Sequence, residues 1–234
     1  MAQYCATCRK TPPEVTLKRC AKCSLTPYCS RDCQKADWKA HKKVCGRNDS
    51  TAAGSFSGPG APASDTGLSP PKGLDQPIAK PFTRLDNGTW LHDRSEKDVY
   101  RILIDAYRLR VQDIYTLENE IDDGSLYAGE PSGLKGLQRF LRLASSRPGL
   151  LPPWWSSEKQ RECEDLGMDP SQFQNLRCAV QKSDIIEHYG DSRFPMQLRM
   201  FAEAVYCRGP GGQDGTTMRK AMVAVEQGTA APWS

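Results

Sequence analysis

Eight metal-ligand side chains stand in four pairs near one end of the chain: Cys5-x2-Cys8, Cys20-x2-Cys23, Cys29-x3-Cys33 and His41-x3-Cys45. A Cys-x2-Cys turn aims two sulfurs at one point. On a helix, His41 and Cys45, four apart, share a face. Thiolate sulfur and imidazole nitrogen in sets of four favour tetrahedral zinc, and eight ligands make two such sets. Both sets are closed by protein atoms, with no position left for water or substrate, so two Zn²⁺ ions read as structural cofactors. A segment this short has too small an apolar core to fold by burial alone, so zinc supplies most of its folding energy.

Seven of the ten cysteines lie in this segment, and Cys163, Cys178 and Cys207 are scattered. A disulfide-stapled secreted protein spreads its pairs over the fold. Crowding reads instead as metal binding in a reducing compartment. The start, Met-Ala-Gln-Tyr-Cys, lacks the charged-then-apolar order of a secretory signal. No apolar run approaches the ~20 residues that span a bilayer. The expectation is an intracellular protein, in nucleus or cytoplasm, with no membrane partner.

Residues 1–47 hold 11 Lys/Arg against 3 Asp/Glu, a formal +8, and the rest of the chain is −4. A basic front end alone suggests nucleic acid. Seven bound thiolates and two Zn²⁺ reduce that +8 to about +5, and few aromatics are interleaved with the lysines. Nucleic acid is disfavoured as a partner.

The full spacing, with Tyr28-Cys29-Ser30, Cys33-Gln34, Asp37-Trp38 and His41-Lys42 in its second half, resembles the MYND finger over about a fifth of the chain. That resemblance implies an interleaved pairing. Cys5, Cys8, Cys29 and Cys33 hold one zinc, and Cys20, Cys23, His41 and Cys45 hold the other. It also implies a protein-interaction module that takes short proline-containing peptides, with Gln34 and Trp38 as contacts and Leu25 and Tyr28 completing the apolar surface. An indole grips proline rings, and an amide bonds an extended backbone. The competing role for Trp38 is to plug the small core.

The expected fold class is a small irregular two-zinc finger followed by a mostly α-helical domain. Residues 1–46 are the finger. Residues 47–80, rich in Ser, Ala, Gly and Pro, read as a flexible linker. Residues 81–208 read as the helical domain, and 209–234 as a Gly-rich turn, short helix and tail. Asn87-Gly88 signals a small hairpin around Phe82–Leu91. Ser95 and Asp98 mark a helix start, and Val99, Ile102, Leu103, Ala106, Tyr107, Val111, Ile114 and Leu117 keep its apolar period. Leu134–Ala144 is a second helix, Ser157 caps a third to about Leu166, Asp169-Pro170 opens a fourth, and Leu198–Tyr206 lies on a fifth. Met218–Val225 suggests a last one. Phe82-Thr83-Arg84-Leu85, Ser183–Gly190 and Arg208–Gly215 resemble the C-terminal part of uncharacterised fungal MYND finger proteins, a resemblance that implies no activity.

No Asn-His pair of a SET methyltransferase is present, no Gly-Lys-Ser/Thr follows the glycines at 209–215, and neither His92 nor His188 sits in a catalytic motif. The three scattered cysteines read as small packing residues. The function expected is a non-enzymatic, regulatory protein–protein interaction adaptor. The alternatives are a transcriptional or translational regulator contacting nucleic acid, and an enzyme with its site in the helical domain, around Cys178, Glu187, His188 and Tyr189. Pro148-Gly149-Leu150-Leu151-Pro152 reads first as a proline-stiffened loop anchoring Trp154 and Trp155, and its Pro-x-Leu-x-Pro form is one the finger could also take as a self-contact, reached through the linker.

Overall fold

A computed structural model describes residues 4–19, 26–41 and 68–230 of the chain, which separates into two compact units, residues 1–60 and 61–234. The first unit contains the antiparallel strands β1 (Lys18–Arg19) and β2 (Pro27–Tyr28), paired Lys18 to Tyr28, and the helix α1 (Arg31–His41). Among its described residues the small core is Cys5 and Tyr28, with Ala6, Leu17, Cys29 and Cys33 against them.

The second unit begins with β3 (Leu68–Ser69) and β4 (Ile78–Ala79), an antiparallel pair. Seven α-helices follow among the described residues: α2 (Pro81–Asp86), α3 (Glu96–Asp113), α4 (Leu134–Ser145), α5 (Ser157–Met168), α6 (Lys182–Tyr189), α7 (Phe194–Tyr206) and α8 (Thr216–Glu226). The expectation of a small finger followed by a mostly helical region holds.

Helix α3 is the axis of this unit, packed against α4, α5 and α7. Ser95 caps it by accepting from the Asp98 N–H, at 3.2 Å. Its apolar stripe is buried as the period predicts, but so are Asp98, Asp105, Arg108, Arg110 and Asp113. A buried charge must be paired and hydrogen-bonded, and each of these is. Asp98 takes the N–H groups of Asp75 and Gln76 and the Arg101 guanidinium. Asp113 takes two bonds from Arg199, and Arg110 pairs with Glu118 at 2.5 Å.

Four expectations are corrected. The linker expected over 47–80 is folded in its last part. Ser69 is 2% exposed and bonds Gln197 and Asp191, while Ile78 lies in the core. Residues 47–67 lie outside the described residues. Proline-rich composition hid this strap because specific backbone bonds to Asp98 hold it, rather than a run of apolar side chains. The boundary at 208 does not hold either. Helix α8 packs on α2, and Glu226 accepts from the Phe82 and Thr83 N–H groups, at 2.8 and 2.7 Å. The hairpin expected at Asn87-Gly88 is absent. Pro81 opens α2 instead, Asn87 ends it, and Gly88 supplies the positive φ of +72 that follows. Asp169-Pro170 opens no helix, because the Asp169 carboxylate folds back on the Ser171 N–H and hydroxyl in a turn.

Glu226 meets two orphan N–H groups at the start of α2 with a full negative charge. Glu226→Ala is expected to lower the stability of this unit by about 1–2 kcal/mol, read from the thermal unfolding midpoint. An unchanged midpoint would show that the cap is energetically idle.

Candidate metal centre and adjoining helix face

The Cys5–Cys8 turn is closed by main-chain bonds. The Arg9 N–H donates to the Cys5 carbonyl and the Cys5 N–H to the Lys10 carbonyl, both at 2.9 Å, with Arg9 in the left-handed region at φ +63. The Ala6 N–H donates to the Pro27 carbonyl at 2.9 Å, tying this turn to β2. Cys29 follows β2 directly, and its N–H points at the Cys5 sulfur at 3.4 Å. Ser30 caps α1, accepting from the Cys33 N–H at 3.2 Å, which places Cys33 in the first helical turn. The Thr7 hydroxyl donates to the Cys33 carbonyl at 2.6 Å.

These contacts bring four sulfurs together. The Sγ atoms of Cys5, Cys8, Cys29 and Cys33 all lie within 4.8 Å of one another, with Cys8 to Cys29 at 3.4 Å and Cys29 to Cys33 at 3.5 Å. Four thiolates around zinc stand about 3.8 Å apart, from a Zn–S bond of about 2.3 Å in a tetrahedron. Electrostatics point the same way. Burial opposes ionisation of Cys5, yet the N–H groups of Cys8, Cys29 and Thr7 draw its thiol down to about 6. Cys29 is pushed up to about 12, chiefly by its bond with Cys8 and then with Cys33. Four thiolates this close repel one another without a cation, and a divalent ion removes the conflict.

His41 is 4% exposed and is the last residue of α1, the helix that carries Cys33 in its first turn. Its Nδ1 lies 3.3 Å from the Thr26 hydroxyl, and its ring meets Tyr28 edge-on at 5.8 Å. Cys20, Cys23, Cys45 and Leu25, expected beside it, lie outside the described residues. Tyr28, expected on the peptide surface, is a correction. It is 2% exposed, and its hydroxyl donates to Asp37 at 2.7 Å. Gln34 and Trp38 stand four apart on α1, and Trp38 is 39% exposed, its ring 6.1 Å from His41. The sequence reading missed Ser30 and Thr7 as supports of the cluster. Ser30, three residues before Cys33, is a legible cap signal, whereas nothing in the sequence marks Thr7.

In the helical unit, Leu150 and Pro152 are buried, and the Gly149 carbonyl is bonded to His92 at 3.0 Å. Residues 148–152 thus form a partly buried loop of the helical unit, with Leu150 and Pro152 inside and Pro148 and Gly149 exposed. Tyr189 is also core, His188 stacks on Phe173 at 3.7 Å, and Cys163 is the one scattered cysteine that packs inside, since Cys178 and Cys207 are exposed. A cleft of about 540 Å³ lies by the Gly-rich turn, between Leu85, Glu203, Cys207 and Arg219. Its acids are already engaged, Glu203 by the Gly215 N–H and Asp86 by Arg219 and Lys220. No helix among the described residues is long and apolar enough to cross a membrane.

Residues 5–45 match the MYND finger family. Over 45 residues the chain is 47% identical to the SET domain and MYND-type zinc finger protein 6 of Schizosaccharomyces pombe, covering 19% of this chain and 9% of that protein. It is 44% identical over 50 residues to Deformed epidermal autoregulatory factor 1 of Drosophila melanogaster, covering 21% and 8%. With human Egl nine homolog 1 the match is 34% over 90 residues, 37% of this chain and 20% of that one. The chain thus spans at most a fifth of the length of these relatives. No solved structure matches it significantly.

Proposed function

We propose that this chain, which carries a MYND finger over residues 5–45, is a non-enzymatic adaptor whose finger holds short proline-containing peptides of partner proteins. The observation that carries this reading is Trp38. In a finger with so few apolar residues, an aromatic is expected inside. Cys5 and Tyr28 fill that place, and Trp38 keeps 39% of its surface exposed. Gln34 lies one turn before it on the same face. An exposed indole beside an amide fits a peptide of proline rings and unpaired backbone groups. Leu25 is the further apolar contact in this reading.

The finger is held by two structural zincs, the first on Cys5, Cys8, Cys29 and Cys33, the second on Cys20, Cys23, His41 and Cys45. Thr26 orients the His41 ring through Nδ1, as second partners of zinc-bound histidines do. Native mass spectrometry of the full chain is expected to show two zinc ions per molecule. A single zinc would remove the second site.

Trp38→Ala tests the peptide surface. Against a partner peptide, identified by affinity purification, it is expected to weaken binding by about 2 kcal/mol, roughly thirtyfold, with zinc content unchanged. Recovery of the same partners by both proteins would show that Trp38 is not the contact.

A further inference from the structure

Five buried side-chain atoms around one corner of the helical unit have no protein partner: Tyr107 Oη and Arg110 Nε on α3, Tyr206 Oη at the end of α7, and Asp122 Oδ2 and Ser125 Oγ on the loop between α3 and α4. Tyr107 is 2% exposed, Arg110 4% and Ser125 0%. Buried polar atoms are almost always hydrogen-bonded, so five together call for a common partner.

The surrounding packing gathers them. The Phe140 ring of α4 lies 6.1 Å from Tyr107 and 5.5 Å from Tyr206, and the Arg110 guanidinium stands over the Tyr206 ring at 5.9 Å. The loop is tied to α4 by Arg139, which donates to Asp122 at 2.5 Å and to the Asp123 carbonyl at 2.7 Å, and by the Gly136 N–H, which donates to the Gly124 carbonyl at 3.2 Å. A methyl group at Gly136 would stand 2.0 Å from the Tyr107 hydroxyl, so glycine is what lets that hydroxyl reach the start of α4. Burial, with the Asp122 charge added, keeps both tyrosines protonated and able to donate.

The charges within this corner cancel. Arg110 and Arg208 pair with Glu118, and Arg139 pairs with Asp122 and meets the Asp123 carbonyl; with the Asp123 side chain counted, three cations stand against three carboxylates. Neither an anion nor a cation finds net attraction. The guest must accept from the Arg110 Nε–H, exchange hydrogen bonds with three hydroxyls and donate to the Asp122 carboxylate. Water is the small neutral molecule that does all of this.

We infer that Tyr107, Arg110, Tyr206, Asp122 and Ser125 enclose an internal water site of about two molecules, at about three hydrogen bonds per water, which fastens the 119–129 loop to the helices beneath it. These waters add to the packing of Tyr127, which stacks on Tyr115 at 4.2 Å, on a loop whose Ile121 stays 57% exposed.

The test is a high-resolution crystal structure of the full chain, with water–protein magnetisation transfer to the two tyrosine hydroxyl protons in solution. Ordered solvent within about 3.2 Å of at least three of the five atoms, with transfer to the hydroxyls, supports the site. Tyr107→Phe keeps the ring against Phe140 and is expected to remove the ordered solvent bound to Oη. Its amide shifts are expected to move in the 119–129 loop and not in α5 or α6. Direct pairing among the five side chains would overturn the inference, as would an organic guest or no ordered solvent.

Discussion

Stripping zinc from the chain is expected to unfold residues 5–45 while the helices of the second unit persist. Among the described residues, the finger's apolar core is two buried side chains, Cys5 and Tyr28, with a few partly buried neighbours. That cannot offset the ordering of some forty residues. Zinc bound by four protein ligands contributes on the order of 10–16 kcal/mol in isolated fingers, more than such a domain's net stability. Chelation is therefore expected to collapse the amide dispersion of the finger while leaving the second unit's thermal midpoint in place. Cys29→Ser is expected to do the same, because Cys29 touches both Cys8 and Cys33. Acid acts alike. The ligand thiols bind zinc as thiolates, so protons compete with the metal and affinity falls as pH falls. A finger that keeps its dispersion in excess chelator would show that its fold does not depend on metal.

Asp105→Ala is expected to be the most damaging single change in the helical unit. The Asp105 carboxylate is 0% exposed and accepts from Arg108 at 2.7 Å, from the Tyr189 hydroxyl at 2.7 Å and from Gln174 at 3.1 Å. Arg108 also donates to the Phe173 and Cys178 carbonyls, so this one acid joins α3 to α6 and to the loop before it. Removing it leaves a guanidinium, itself 7% exposed, without its counter-charge. Breaking a buried pair from one side costs about 3–5 kcal/mol, a large part of a domain's stability. The check is denaturant unfolding followed by helix content. Loss of less than about 1 kcal/mol would show that solvent replaces the carboxylate. Asp105→Asn keeps hydrogen-bond capacity at the site and is expected to lose less.

The finger was legible because its information is local. Pairs such as Cys5-x2-Cys8 state ligand identity and ligand geometry at once, and the structure brings Cys5, Cys8, Cys29 and Cys33 to one point. Tyr28 was misplaced because its residue type suits a surface and a core equally. Only the position of Asp37 beside its hydroxyl, nine residues away, decides between them. In the second unit the helices at Glu96–Asp113, Leu134–Ser145 and Phe194–Tyr206 followed from apolar period. Leu117 did not. The chain leaves α3 through a π turn at Ile114–Glu118, which carries Leu117 out to 58% exposure.

By itself the sequence determined the metal chemistry and the helical class, since both rest on spacings of a few residues. Tertiary structure alone decided where the second unit begins and ends. Residues 68–80 belong to it through the bonds of Ser69 and of the Asp75 and Gln76 N–H groups, and α8 through Glu226. It also turned the polar side of α3 inward, because Asp105 and Asp113 find partners more than sixty residues away. A spacing pattern reports what one element can do. Burial of a charge depends on which distant groups arrive to meet it.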